Sequence, residues 1–531
     1  MAELLHLLAN GSALGGSVQC PAGPEKAVPL LEIWRRSEAA AHWVANRVGD
    51  RGRVGALLAP SHDCLVAMAG VWRAGADLVS LPHPGRVGPS NYGRHLRELC
   101  QLAGADLILA EQMYLPVLEG LSVPVVSFSE CAAGAAAVKG RRAGGDLIQF
   151  TSGSTSRPKG IRLSPAAVSA NVRAILAAAS AQPGEVACSW VPLSHDMGLV
   201  GMLLAGWAGG LNLVLMRPES FIANPLSWLE TCSRHGAQLT CSPNFGLELA
   251  ARAVVPGRGL DLRAVRACFL GAEPIQARTL RRFAAATVEY GFQPSAFCPG
   301  YGLAEVCLAA TLVRPADHWS SRWFDIHDEG AAGDQPAIRT ELVSMGPAVS
   351  GMELSIAGGS SPGDIRVAGT SLLSEYLGAE LKLQDQRWLE TGDRGYLLDG
   401  ELFVVGRVDD MMFVAGRNVF ASEIERLAEE HPLLGPGCLA AVADERGRYV
   451  VVVERPRGRF DQATGRDVAR WIRVQAGKKL NAAPSRVLFI APGTLAVTPS
   501  GKLQRHRIRH WYQLGRLAVE QQVDFAWEQS A

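Results

Sequence analysis

From Leu30 to about Thr311, short apolar runs alternate with longer stretches whose apolar positions recur at helical spacing. The runs read as buried strands and the stretches as helices, and their alternation predicts an α/β domain on largely parallel sheets. Ser164 followed by Pro165 places a cap and a first-turn proline ahead of a helix over Ala166 to Ala181. Trp190 to Leu193 closes a strand, and Asp196 is placed to cap a helix through Met197, Val200, Leu203 and Leu204, with His195 at its mouth. Pro225 to His235 reads as a helix stopped by Gly236, and Gln238 to Cys241 as extended chain. Val265 to Leu270 then runs into the turn Gly271-Ala272-Glu273-Pro274.

After Leu312 the pattern weakens. As far as about Thr340 the chain is polar and aperiodic, includes Trp319 and Trp323, and reads as an inserted segment. Short strands follow, with a hairpin turning at Asp399-Gly400, a dipeptide that tolerates two positive φ angles. Beyond Gly406-Arg407 come an extended Met411 to Val414, a capping box at Ser422 and Glu425, and two strands around Arg446-Gly447. The expected fold class is α/β. A large N-terminal domain over 1–408 has layered, mostly parallel sheets with helices plus a β-rich subdomain, and a small α/β C-terminal domain covers 409–531. The length of 531 residues agrees, because one hydrophobic core rarely serves so long a chain.

Composition removes several function classes. A formal net charge of +1 without a long basic tract gives no electrostatic case for nucleic acid. Residues 1–16 lack a basic leader, and the most apolar helical candidate, Met197 to Gly210, is too short to span a bilayer, so a cytoplasmic protein is expected. The eleven cysteines include no Cys-x-x-Cys pair, which points to small core residues and not to zinc or a disulfide framework.

The chemistry concentrates first between Gln149 and Gly160. The apolar run Asp146 to Phe150 leads into Thr151, Ser152, Gly153, Ser154 and Thr155, then Arg157 and Lys159. Glycine lets backbone N–H groups approach phosphate oxygens, hydroxyls add donors, and the cations supply the charge a polyphosphate needs. The lysine precedes its glycine, so this is not a Walker loop, and the pattern places it between a strand and a helix. Alone, such a loop is equally a plain surface turn.

Further motifs follow it: Gly271-Ala272-Glu273-Pro274, Tyr301-Gly302-Leu303-Ala304-Glu305, Thr391-Gly392-Asp393, Gly406-Arg407-Val408-Asp409-Asp410 and Pro499-Ser500-Gly501-Lys502. In order and spacing the set resembles the acyl-adenylate-forming superfamily from about residue 30 to the C-terminus. The resemblance implies ATP and Mg2+ as cofactors and a mobile C-terminal lid that swings about Asp409. It implies that Thr151 to Thr155 and Lys159 hold phosphates, that Gly271, Ala272 and Glu273 border adenine, and that Tyr301 stacks on it beside Gly302 and Leu303. Glu305 is then the metal carboxylate, Asp393 and Arg407 meet the ribose, and Lys502 is delivered over a carboxylate attacking the α-phosphate. Each residue type suits its part: a hard oxygen for Mg2+, two carboxylate oxygens for two hydroxyls, and a cation for developing negative charge. Taken singly, a Tyr-Gly turn, a hairpin aspartate, a strand-end Gly-Ala-Glu and a C-terminal lysine all have ordinary structural readings.

Trp190-Val191-Pro192-Leu193-Ser194-His195-Asp196-Met197-Gly198-Leu199, Ser242-Pro243-Asn244-Phe245 and Gly416-Arg417-Asn418 resemble the fatty-acyl-AMP ligase subgroup, as does an insertion ahead of Val343-Ser344-Met345-Gly346. This implies transfer of the acyl group to the phosphopantetheine arm of an acyl carrier protein, with the insertion restraining the lid or obstructing coenzyme A. Met197 to Leu204 and Asn244 to Leu249 would line a pocket for a hydrophobic carboxylic acid, and His195 would gate or orient its carboxylate. Asp409 and Ala415 depart from the subgroup, which often has lysine and an acidic residue there. An acyl-CoA ligase is the alternative enzyme, and a non-catalytic nucleotide-binding or synthase-docking module the alternative from another class.

Overall fold

The computed structural model describes the chain except residues 1–2, 21–25, 50, 84–88, 135–143, 152–158, 327–337, 358–361, 379–386, 415–416, 436, 445–447, 459, 481, 498–502 and 526–531. Two large sheets organise the N-terminal region. One has seven strands, in the spatial order Glu375–Leu377, Lys159–Leu163, Leu147–Thr151, Asp77–Ser80, Arg53–Ala56, Leu107–Ala110 and Val125–Ser127. The other has eight: Ala309–Leu312, Phe297–Gly302, Ala267–Leu270, Leu239–Ser242, Val186–Ser189, Asn212–Leu215, Ser17–Gln19 and Val28–Pro29. Their central pairings are parallel and antiparallel strands sit at the edges. Asp77–Ser80 and Leu107–Ala110 are buried at every position, as strands covered on both faces must be. Helix His62–Arg73, buried along nearly its whole length, packs between layers.

Local signals act as expected at several boundaries. Ser164 Oγ accepts from the Ala167 amide at the start of helix Pro165–Ala179, and Gly236 takes the left-handed conformation after Leu226–His235. Asp399 and Gly400 have φ of 53° and 81° in the hairpin joining Leu389–Leu398 to Glu401–Arg407. These two strands, with Met352–Ala357 and Gly363–Gly369, form an antiparallel four-stranded sheet. All eleven cysteines are free thiols, ten of them buried. Among the described residues no helix is long and apolar enough to cross a membrane.

Five expectations need correction. The phosphate loop does not lead straight into a helix: Leu147–Thr151 and Lys159–Leu163 are antiparallel neighbours, so 152–158 joins two strands. The second strand hides in a five-residue run whose buried Gly160, Ile161 and Leu163 show little alternation. Trp190 to Leu193 lies past its strand, Val186–Ser189. The Asp196-capped segment Met197–Leu204 is π-helical, the wide-turned form enriched at functional sites. Gly198 packs there against the Pro192 carbonyl, where a Cβ would come within 2.2 Å. The inserted segment contains regular structure, since Ser321–Ile326 and Ile338–Val343 pair antiparallel with Trp323 turned to solvent. At the second region's first helix, Ala421–Ala428, it is Glu423 that accepts from the Phe420 amide, at 3.2 Å, while Glu425 serves other partners.

The C-terminal residues build their own core. Met412, Val419, Ile424, Tyr449, Val468, Ile472 and Phe489 belong to a buried cluster without members before Met412. Around it lies a sheet of Leu439–Ala443, Tyr449–Glu454, Arg486–Ile490 and Val519–Asp524. One side chain crosses back. Phe420 packs with Phe324 and Leu342 of the inserted hairpin and with Tyr396, Phe403 and Val405 of the four-stranded sheet. Thr340 and Glu423 add a hydrogen bond of 3.4 Å across the same seam, and Arg278 reaches Glu429 at 3.3 Å and the Arg426 carbonyl at 3.0 Å. Truncating Phe420 empties an aromatic site, so Phe420→Ala should lose about 3 kcal/mol in urea unfolding. A denaturant midpoint equal to wild type would show that this packing is not maintained in solution.

Candidate active site

The ends of the phosphate loop are fixed although Ser152, Gly153, Ser154 and Thr155 lie outside the described residues. Thr151 is registered opposite Lys159. Beneath them Arg162 binds three carboxylates, with Nε 2.6 Å from Asp146 Oδ2, Nη2 2.8 Å from Asp77 Oδ2 and Nη1 3.1 Å from Glu375 Oε1. Such a clamp ties the loop hairpin to its neighbours on both sides. Lys159 is exposed, and its Nζ stands 5.7 Å from the Tyr376 ring centroid.

Tyr301 ends a strand of the eight-stranded sheet, while Asp393 and Arg407 face each other across two strands of the four-stranded sheet. The Tyr301 hydroxyl donates to Asp393 Oδ2 at 2.7 Å, and Arg407 Nε lies 3.3 Å from Asp393 Oδ1. The Asp393 amide also bonds to Thr391 Oγ1, itself a donor to the Ile365 carbonyl. Burial and the adjacent Asp393 carboxylate keep the Tyr301 phenol protonated well above its ordinary range. A carboxylate has two oxygens with which to accept from a pair of vicinal hydroxyls. Gly302 permits the strand end to close up, because a Cβ there would fall 1.6 Å from the Leu308 carbonyl.

Glu305 sits in the turn Ala304–Val306 and accepts a hydrogen bond of 3.2 Å from the Tyr376 hydroxyl. Burial raises its pKa, Tyr376 and Arg407 oppose that rise, and Asp196 adds to it, which places the Asp196 side of the cleft within electrostatic range. No cluster of three or more metal-binding side chains occurs among the described residues. A hard carboxylate such as Glu305 would suit Mg2+ that takes the rest of its shell from polyphosphate oxygens and water.

The adenine-edge candidates divide. Gly271 lies close to the Gly300 carbonyl, and Ala272 holds a φ of 68°, unusual for a residue with a side chain. Glu273 does capping work: its Oε1 accepts from the Phe245 amide at 2.6 Å, while Asn244 Oδ1 accepts from the Gln276 amide at 3.0 Å. These reciprocal bonds lock the Gly-Ala-Glu-Pro turn to the start of helix Asn244–Ala253. Trp190 stacks on Phe221 at 3.7 Å and meets Phe245 edge-on, an apolar wall beside that helix start. His195 Nδ1 is 2.6 Å from Asp196 Oδ1, so the neighbouring carboxylate orients the imidazole at the mouth of the π-helix. Leu303 leads into the Glu305 turn, and Asp409 is exposed in the single turn Val408–Asp410. Lys502 lies outside the described residues.

The structure thus brings together the Lys159 end of the loop, Tyr301, Glu305, Asp393 and Arg407. It adds Tyr376, which joins Lys159 to Glu305 from a three-residue edge strand too short to carry a sequence signal. Thr391 was visible only as part of its motif, and Arg162 followed the loop without any local sign of its three partners.

A profile of the AMP-binding enzyme family matches residues 31–377. The chain is 30% identical to the 4-hydroxyphenylalkanoate adenylyltransferase of Mycobacterium bovis over 91% of its own length and 86% of the relative's. It is also 30% identical to the medium-chain-fatty-acid–[acyl-carrier-protein] ligase of Moorena producens, over 68% and 67% of the two chains. A solved structure from the fatty acyl-adenylate ligases of E. coli and L. pneumophila superposes with a TM-score of 0.90 and 26% identity, covering 97% of this chain and 98% of that one. With most of its length matched by the family profile and by these relatives, the chain belongs to the AMP-binding enzyme family.

Proposed function

We propose that the protein uses ATP and Mg2+ to activate a fatty or other hydrophobic carboxylic acid as its acyl-adenylate, then passes the acyl group to the phosphopantetheine thiol of an acyl carrier protein. The observation that carries this reading is the meeting of Tyr301, Asp393 and Arg407 with Glu305 beside the fixed end of the Ser/Thr/Gly loop. In the first step a carboxylate oxygen of the acid attacks the α-phosphorus, the bond from that phosphorus to the bridging oxygen breaks, and pyrophosphate leaves. Asp393 holds the ribose, Arg407 supports Asp393, the loop with Lys159 holds the departing phosphates, and Glu305 would hold the Mg2+ that would offset their charge. Lys502, carried by a lid over 409–531 that turns about Asp409, meets the charge developing between carboxylate and phosphate. In the second step the thiolate attacks the acyl carbon and AMP leaves.

The Moorena relative's named acceptor and the likeness to fatty acyl-adenylate ligases support the carrier protein. Asp409 is the specific observation that favours coenzyme A as a second reading of the acceptor. The eleven cysteines form no disulfide, which supports a reducing compartment, the cytoplasm. Pyrophosphate exchange over a panel of acids tests the first step, and mass spectrometry with holo carrier protein and coenzyme A supplied together tests the second. An enzyme that exchanges pyrophosphate with no acid contradicts the activity, and one that forms acyl-CoA alone contradicts the acceptor.

Lys502→Ala should lower adenylate formation by about a hundredfold or more, the usual scale for loss of one preorganised charge-stabilising group, with ATP binding little changed. Wild-type exchange kinetics in that variant would remove Lys502 from the reaction. Glu305→Gln keeps the side-chain size but lacks the charge, so its activity should need about tenfold more Mg2+ and recover in part at high metal. An unchanged magnesium titration would assign the metal to other groups.

A further inference from the structure

Lys502 lies outside the described residues, and the residues on either side of 498–502 are placed. Val497 and Leu503 bridge antiparallel on either side of 498–502, and the chain then enters helix Arg505–Gln513. Its first residue, Arg505, is nearly enclosed. Nε and Nη2 donate to Glu425 Oε1 and Oε2 at 2.9 and 2.6 Å, and Nη1 donates to Asp410 Oδ2 at 2.7 Å. Glu425 belongs to helix Ala421–Ala428, and its Oε1 also accepts from the Ala441 amide. Burial works against the guanidinium charge, but Glu425 and Asp410 outweigh it and hold the group protonated.

The position of Asp410 gives this contact its meaning. Arg407 is held to the core through Asp393, and Asp410 is held to the C-terminal region through Arg505. Only Val408 and Asp409, both exposed, lie between the two ion pairs. A rotation of one body against the other is therefore absorbed at these two residues, because the backbone on each side is anchored by an ion pair. Stability of the C-terminal region alone would be served by the bidentate Arg505–Glu425 pair. The third arm does something else: it connects the residue just after the pivot to the residue three beyond Lys502.

We propose that Arg505 is a positioning residue that makes the pivot and the base of the Lys502 segment one rigid lever, so that a turn at Val408–Asp409 sets the place of the Lys502 ammonium. The proposal rests on the reading that the lid delivers Lys502. It assigns Asp410 the complementary part, since that carboxylate faces Arg505 and also lies within electrostatic range of Arg407.

Asp410→Asn tests the lever while leaving the Arg505–Glu425 pair in place, which Arg505→Ala would not. Adenylate formation should show a kcat lower by about tenfold, because small displacements of a reacting group cost this much or more, with the KM for ATP unchanged. Thermal melting should shift by no more than about 4 °C, and Asp410→Glu should restore part of the kcat. In a Lys502→Ala background, Asp410→Asn should cost nothing further, since both changes then act through the same ammonium. Wild-type kcat in Asp410→Asn would overturn the lever, as would a full additional loss in the double variant. If Lys502→Ala itself remains active, the delivery reading falls and the lever falls with it. If Lys502→Ala is inactive and Asp410→Asn is normal, only the lever is wrong.

Discussion

The carboxylate of Asp393 lies between a phenol and a guanidinium, and this contact fixes how three parts of the molecule meet. Tyr301 brings the end of the eight-stranded sheet, Asp393 the four-stranded sheet, and Arg407 the last strand before the C-terminal region. A largely shielded carboxylate held by a phenol and a guanidinium is fixed more firmly than an exposed one, since losing either donor leaves charge less compensated. The carboxylate that connects the sheets is thus the one proposed to recognise a sugar diol, and the Glu305 turn follows four residues after Tyr301.

Around that contact, the remaining charges act as fasteners. Arg162 holds three carboxylates beneath the hairpin of Leu147–Thr151 and Lys159–Leu163, and Glu273 and Asn244 exchange hydrogen bonds between the Gly-Ala-Glu-Pro turn and the helix beside the aromatic wall. A residue taken from the sequence as a nucleotide contact is therefore engaged in aligning two parts of the cleft. Phe420 seats the C-terminal region against the inserted hairpin, which connects the least regular part of the sequence with the orientation of the second core.

How much of this could be read in advance depended on the range of the interaction. Strands buried on both faces declare themselves as apolar runs, and caps at Ser164 and Gly236 are local, so much of the alternating core was legible. Motif residues such as Tyr301, Asp393 and Arg407 were legible as types in an order, although their mutual contacts were not. The inserted hairpin escaped because a two-stranded ribbon with Trp323 exposed lacks the alternation of a half-buried sheet. The π-helix escaped because its apolar pattern over Met197 to Leu204 is that of any buried helix. Tyr376 and Arg505 were invisible for a different reason: their roles depend on partners 71 and 80 residues distant in sequence.

The central claim is that the Asp393 carboxylate, set by Tyr301 and Arg407, recognises the ribose of ATP. Calorimetric titration of ATP into wild type and Asp393→Asn tests it most directly, with circular dichroism to show that both are folded. A hydrogen bond to a charged group contributes about 1.5 to 3 kcal/mol, so the variant should bind ATP at least about tenfold more weakly. Equal affinities in two folded proteins would contradict the account.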